Sequence, residues 1–194
     1  MTVRRSGRAL AVVACLTAAA GPASAADWSV DPQASAIQFH ATEFGQPFSG
    51  EFGRFAGRIA FNPGSSPTGD VTIDIDVASL KTGAADRDTQ AQGTDWFATA
   101  KAPQAVFTAD RFRRIDDVHY EAFGNLLIKG IRVQIVLPFS LHIGPDGVAE
   151  MHGTVTLDRL AFGLGTGSLA DPAMVGRQVA VDIHLRATPE SPHQ

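Results

Sequence analysis

From residue 131 to residue 143 every odd position is apolar: Ile131, Val133, Ile135, Leu137, Phe139, Leu141 and Ile143. The even positions include Arg132, Gln134, Ser140 and His142, with Val136 and Pro138 as exceptions. A period of two over this length predicts a β-strand with one wet and one buried face. At about 3.3 Å per residue it spans roughly 40 Å, longer than an ordinary strand. A strand that long with a continuous apolar face is expected to curl around either packed side chains or a ligand.

Shorter segments repeat the pattern. Ile37 and Phe39 share a face in residues 35–41, and Phe55, Ile59 and Phe61 stand among glycines in residues 52–61. Val71, Ile73, Ile75 and Val77 alternate with Thr72, Asp74 and Asp76. Residues 106–112, 120–129, 153–160 and 179–185 are further strand candidates, separated by turn chemistry such as Asn62-Pro63-Gly64 and Gly144-Pro145-Asp146-Gly147. About eight strands at this spacing predict an all-β sandwich or barrel. Residues 84–93 lack a β-branched run and predict one short helix, followed by a turn that delivers Trp96 and Phe97. In a closed barrel the first strand, near residues 28–41, pairs with the last, near 179–186, which removes the open edges. Several of the twelve phenylalanines adjoin glycines, as in Phe44-Gly45, Phe52-Gly53, Phe123-Gly124 and Phe162-Gly163, which suits a strongly coiled wall.

Residues 1–25 read differently. Arg4, Arg5 and Arg8 precede an apolar stretch, and Ala23-Ser24-Ala25 forms a small-residue cleavage site. This is the pattern of a secretory leader cut after Ala25, with the periplasm as the expected destination. The remaining 169 residues contain no cysteine, because Cys15 lies in the leader; disulfides and thiolate chemistry are excluded from the mature part. They carry thirteen basic and twenty acidic residues, a net charge of −7, which argues against nucleic acid and anionic headgroups as partners. The expected organisation is a leader over 1–25, one domain over 26–187 and a flexible tail over 188–194.

The opening WSVDPQASAIQFHA, the segment GEFGRFAGRIAFNP, the Arg87-Asp88 pair and TDWF at 94–97 form a recognisable series. GNLLIKG at 124–130, RLAFG at 159–163 and the closing VGRQVAVDIHL continue it in order. Together they resemble the YceI-like polyisoprenoid-binding family over residues 27–187. The resemblance implies an eight-stranded antiparallel, lipocalin-like barrel with an apolar tunnel that holds an isoprenoid lipid, quinone-like or polyprenyl phosphate. Leu137-Pro138-Phe139 and the Gly-x-Gly after Phe162 resemble the branch found beside membrane cytochrome b561-type proteins, which implies a functional link to such a partner. Ala91 stands where the family usually carries leucine, Gln90 where it carries histidine and Ala102 where it carries tyrosine. Each swap shrinks a side chain near the expected mouth.

Read in that frame, the candidate lining is Phe39, Phe44, Phe52, Phe55, Ile73, Ile75, Trp96, Phe107, Leu126, Ile128, Leu137, Phe139 and Phe162. The alternative for each is ordinary core. Arg87 and Asp88 have two readings: a guanidinium fork for a head group, or an ion pair pinning the helix to the barrel. With Lys81, Lys101 and Lys129 as the only lysines, a neutral quinone head fits better than a pyrophosphate. The six histidines show no helical metal-ligand spacing, and no metal or cofactor is expected. There is no Gly-x-Ser-x-Gly elbow, phosphate loop or evident carboxylate pair. His40 with Glu43 is the one candidate proton-transfer pair. The expected function is a non-enzymatic isoprenoid carrier, with an isoprenoid-modifying enzyme and a packed, protein-binding barrel as alternatives. A homodimer is compatible with all three.

Overall fold

The computed structural model describes residues 26–64 and 66–190; the expected leader and the last four residues lie outside the described residues. Eleven strands and one α-helix follow the chain: β1 (Ala26–Val30), β2 (Ala36–Glu43), β3 (Gln46–Phe52), β4 (Phe55–Asn62), β5 (Thr68–Asp76), β6 (Leu80–Lys81), α1 (Ala85–Gln92), β7 (Gln104–Arg114), β8 (His119–Ile128), β9 (Ile131–Ile143), β10 (Ala149–Asp158) and β11 (Gln178–Pro189).

These eleven strands make eight staves of one closed antiparallel barrel. β1 and β2 lie in succession along one edge of β11, Val30 facing Ala187 and Ile37 facing Ile183. β4 pairs β1 while β3 pairs β2, and β5 pairs β4 while β6 pairs β3. The first three staves are therefore each broken once. β7, β8, β9 and β10 follow in order, and β10 returns to β11. The expected pairing of the first stave with the last holds along both of its halves. β11 runs to Pro189, so it takes in two residues read from the sequence as tail: Thr188 and Pro189 pair with Ser29 and Trp28. The Trp28 indole N–H also donates to the Phe61 carbonyl at 3.0 Å, tying β1 to β4 inside the wall.

Bulk on one strand is matched by glycine on the next. Phe39 lies across Gly50, where a Cβ would come within 2.5 Å of its ring, and the Phe107 ring covers Gly124 in the same way. An aromatic laid over a glycine lets the wall curl without losing buried area. One seam is incomplete. β9 pairs β10 only from Phe139 to Ile143, next to Pro138, which has no N–H to donate. Beside the unpaired part of β9 the 3-10 turn Arg159–Phe162 fills the wall, with Gly163 against Ile131.

The interior is a column of three apolar layers. At one end Trp28, Phe61, Tyr120, Leu137 and Phe139 pack together, with Tyr120 and Phe139 stacked at 5.4 Å between centroids. Ile37, Ile73 and Leu185 form the middle layer. Val77, Ala105, Leu126, Ile128, Phe162 and Leu164 form the third, nearest α1.

Candidate ligand-binding site

The alternation that makes the strands also sets the site: inward residues of seven staves and of the irregular segment 159–176 enclose a cavity of about 170 Å³ in the α1 half of the barrel. Phe39, Phe48, Phe52, Trp96, Phe97 and Phe162 supply its aromatic surface, with Ile37, Ile75, Leu126, Ile128, Leu157, Leu164 and Val181 between them. Phe52 meets Phe39 at 5.8 Å and Phe97 edge-on at 6.0 Å. A second cavity of about 90 Å³ lies in the other half, lined by Trp28, Phe61, Phe107, Phe112, Leu137, Phe139 and Met151 among others. The two share no lining residue, and the layer of Ile37, Ile73 and Leu185 lies in the core between the clusters that line them. The expected continuous tunnel is thus two chambers with a partition. An apolar cavity of about 150 Å³ accepts benzene, so the larger chamber holds one ring or isoprene-sized group with its side chains where they stand.

The candidates from the sequence divide accordingly. Phe39, Phe52, Ile75, Arg87, Trp96, Leu126, Ile128 and Phe162 line the larger chamber; Phe107, Leu137 and Phe139 line the smaller. Ile73 and Phe55 belong to the middle layer. Phe44 lines nothing: it is 68% exposed, at φ +49° in the tight turn between β2 and β3, where the two-residue connection demands left-handed backbone.

Polar groups collect where the chamber reaches α1. Arg87 donates to Glu43 at 2.8 Å and its guanidinium lies 4.2 Å from the Phe48 ring centre. An ion pair does pin the helix to the barrel, as the second reading expected, but it runs from Arg87 to Glu43 of β2, and Asp88 does not pair with an arginine. It accepts from the backbone N–H and the hydroxyl of Thr82 at 2.8 and 2.7 Å, fastening α1 to the end of β6. His40 and Glu43 do not meet either. His40 points outward to Asp182 at 3.0 Å, while Glu43 is held by Arg87, so the proposed proton-transfer pair does not form.

Arg159 is the residue that sequence reasoning missed. It is 2% exposed, and its guanidinium has no carboxylate partner among the described residues. Instead it donates to five backbone carbonyls, those of Leu164, Gly165, Leu169, Val175 and Gly176, at 2.7 to 3.0 Å. Burial pushes its pKa down, partly offset by Asp158, yet a guanidinium stays protonated in proteins. Asp158 itself is held below the usual carboxylate range by the Arg177 guanidinium. Arg159 thereby organises the segment that closes the α1 end, with its Cζ 5.5 Å from the Trp96 ring centre. Trp96 carries a buried Nε1–H with no hydrogen-bond partner among the described residues. No motif announces either fact, since the carbonyls come from irregular chain and the tryptophan from a turn.

The arrangement has known relatives. The YceI-like domain family matches residues 28–187. A UPF0312 protein of Pseudomonas syringae pv. syringae is 28% identical over 167 residues, 81% of this chain and 87% of the relative. A UPF0312 protein of Yersinia pestis (strain Pestoides F) is 30% identical over 125 residues, and there the match takes in only 65% of the relative's length. Among solved structures, BcnA of Burkholderia cenocepacia superposes with a TM-score of 0.78 at 29% identity, covering 82% of this chain and 99% of BcnA. A polyisoprenoid-binding domain from Saccharophagus degradans shares the fold at 16% identity, with a TM-score of 0.70 over 85% of this chain and 99% of that one. With the family match running from Trp28, at the closure of the ring, to Ala187 in its last strand, the chain belongs to the YceI-like domain family.

Proposed function

We propose that this protein binds an isoprenoid lipid in the larger chamber, with a neutral, carbonyl-bearing head of quinone type. The observation that carries the reading is the pairing state of the chamber's polar groups. Arg87 is neutralised by Glu43 and Arg159 is saturated by five carbonyls, so neither cation among the lining residues is free for a phosphate. The buried Trp96 Nε1–H is left as an unanswered donor in the wall, and a carbonyl oxygen would answer it. The aromatic and aliphatic lining accepts one ring or isoprene-sized group as it stands and more of the chain as its side chains move apart, at roughly 0.8 kcal/mol for each CH₂ removed from water. The Saccharophagus relative, named as polyisoprenoid-binding, supports the same ligand class. The leader supports action in the periplasm, and the Leu137-Pro138-Phe139 and Gly-x-Gly segments support a quinone-handling membrane partner of cytochrome b561 type.

Native mass spectrometry of protein purified from its own host, followed by organic extraction, tests the proposal. A stoichiometric isoprenoid quinone is the expected outcome. A polyprenyl phosphate would overturn the head-group reading while keeping the lipid. An apo mass, with no uptake of either class when added, would leave the chambers as packing voids and overturn the carrier.

A further inference from the structure

Histidines separated widely in sequence meet on the outer face of the wall, away from both chambers. The strand registers place His119 of β8, Ser140 of β9, His152 of β10 and His184 of β11 in one transverse row. Glu150 stands two residues before His152 on the same face of β10. The His152 and His184 rings lie face to face, 4.3 Å between centroids and 9° from parallel. One donor atom from each of Glu150, His152 and His184 lies within 4.8 Å of the other two.

The state of the neighbours singles out these three. His119 and His40 are already engaged by Asp116 and Asp182. Glu150, His152 and His184 make no ion pair among the described residues, although Arg186 stands opposite Glu150 on β11. Nε2 of His184 is buried and has no hydrogen-bond partner among the described residues. Two stacked imidazoles with an unanswered nitrogen and an adjacent carboxylate form a poor hydrogen-bonding group but a good ligand set. Two histidines and one glutamate are a known complement for a divalent ion, at about 2.0–2.2 Å per bond, leaving a position for water. Imidazole nitrogen selects late first-row ions such as Zn²⁺, Cu²⁺ and Ni²⁺ over Ca²⁺ or Mg²⁺. The donors lie within 4.8 Å of one another and Glu150 and His152 are exposed; binding one ion takes the two rings out of their stacked arrangement so that both nitrogens point at it.

We propose that Glu150, His152 and His184 form a surface site for a late first-row divalent metal ion on β10 and β11. The site is independent of the lipid reading, since its residues face away from the chambers. Its spacing escapes inspection of the sequence because two ligands come from neighbouring strands, 32 positions apart in the chain.

The test is titration of untagged, chelator-stripped full-length protein with ZnCl₂ by calorimetry and with CuCl₂ by electron paramagnetic resonance. One saturable site per chain is expected below about 100 µM metal, with nitrogen hyperfine structure in the copper spectrum. His152→Ala and His184→Ala should each weaken binding at least about tenfold, and Glu150→Gln less. Imidazole resonances provide a readout free of folding effects: Ni²⁺ added to the unmodified protein should broaden His152 and His184 before His40 or His119. Absence of a saturable site, retention of full affinity by the His152→Ala/His184→Ala double variant, or uniform broadening of all histidines would overturn the proposal.

Discussion

Ala91 offers the sharpest test of the larger chamber. It lies on α1 at a half-buried position and lines the chamber, where the resemblance pointed to a leucine. Leucine at 91 adds three carbons and costs the helix almost nothing, since leucine and alanine are both strong helix formers. Burying those carbons is worth at most about 2.4 kcal/mol, and a half-buried site realises about 1 kcal/mol of it. For a domain of this size that raises Tm by about 2–4 °C. The same carbons occupy room that a ligand would use, so affinity should drop by up to roughly 2.4 kcal/mol, about 60-fold in Kd. Stability and binding thus move in opposite directions. Quenching of tryptophan fluorescence by a benzoquinone carrying one or two isoprene units reads the binding. The two tryptophans report separately, Trp96 from the larger chamber and Trp28 from the smaller, and Trp28→Phe isolates the former. A folded Ala91→Leu protein with raised Tm and unchanged Kd would refute the reasoning, because space could then be filled without displacing ligand.

Arg159→Met should destabilise the protein by about 4 kcal/mol or more in urea unfolding, since five buried carbonyls lose their donor. Hydrogen exchange should also localise the loosening to residues 163–177. Ile73→Ala should cost about 2–5 kcal/mol and, by opening the partition, lengthen the longest isoprenoid retained in native mass spectrometry; an unchanged length limit would mean that Ile73 does not separate the chambers. Acid stability should follow Asp76, Asp116 and Asp158. Arg54 lowers the first and Arg177 the third, while the backbone N–H groups of Val118 and His119 hold Asp116 at about 2. Folded values below the unfolded value near 3.9 mean stability that is present above about pH 4 and lost as pH falls toward 2. Asp116→Ala should flatten the plot of Tm against pH between 4 and 2; a curve parallel to that of the unmodified protein would remove Asp116 from the account.

The strands with the cleanest period were legible in full. β9 begins and ends at the residues where its alternation does, and of its odd-numbered apolar residues only the two at the ends, Ile131 and Ile143, are exposed. The helix was legible through what it lacks, a β-branched run. The breaks in the first three staves were not. β3 contains Pro47 and Gly50, residues that strands disfavour, yet Pro47 is tolerated because β3 is paired on its far side only at Glu51 and Phe52. Parity along a strand tells inside from outside but not height within the barrel. Candidates therefore fell into two chambers and a partition that no periodicity distinguishes. The contacts of Arg87 and Arg159 were equally hidden, because Glu43 lies 44 positions from Arg87 and the Arg159 acceptors are main-chain atoms whose placement no side-chain pattern encodes.

The ring is closed by the first stave against β11, three residue pairs through β1 and five through β2, joining the first described strands to the last. Every stave between them can pair with a neighbour already made, but this joint waits for the whole chain. Until Gln178–Pro189 emerges, both β10 and the first stave present bare backbone, and the apolar column stands open along one side. Such long-range closure makes folding slow and leaves the nascent chain exposed to strand-to-strand association. The step most in need of a chaperone is therefore the last one, and shortening the chain from residue 187 onward would remove the β1 half of the latch while β2 still holds β11.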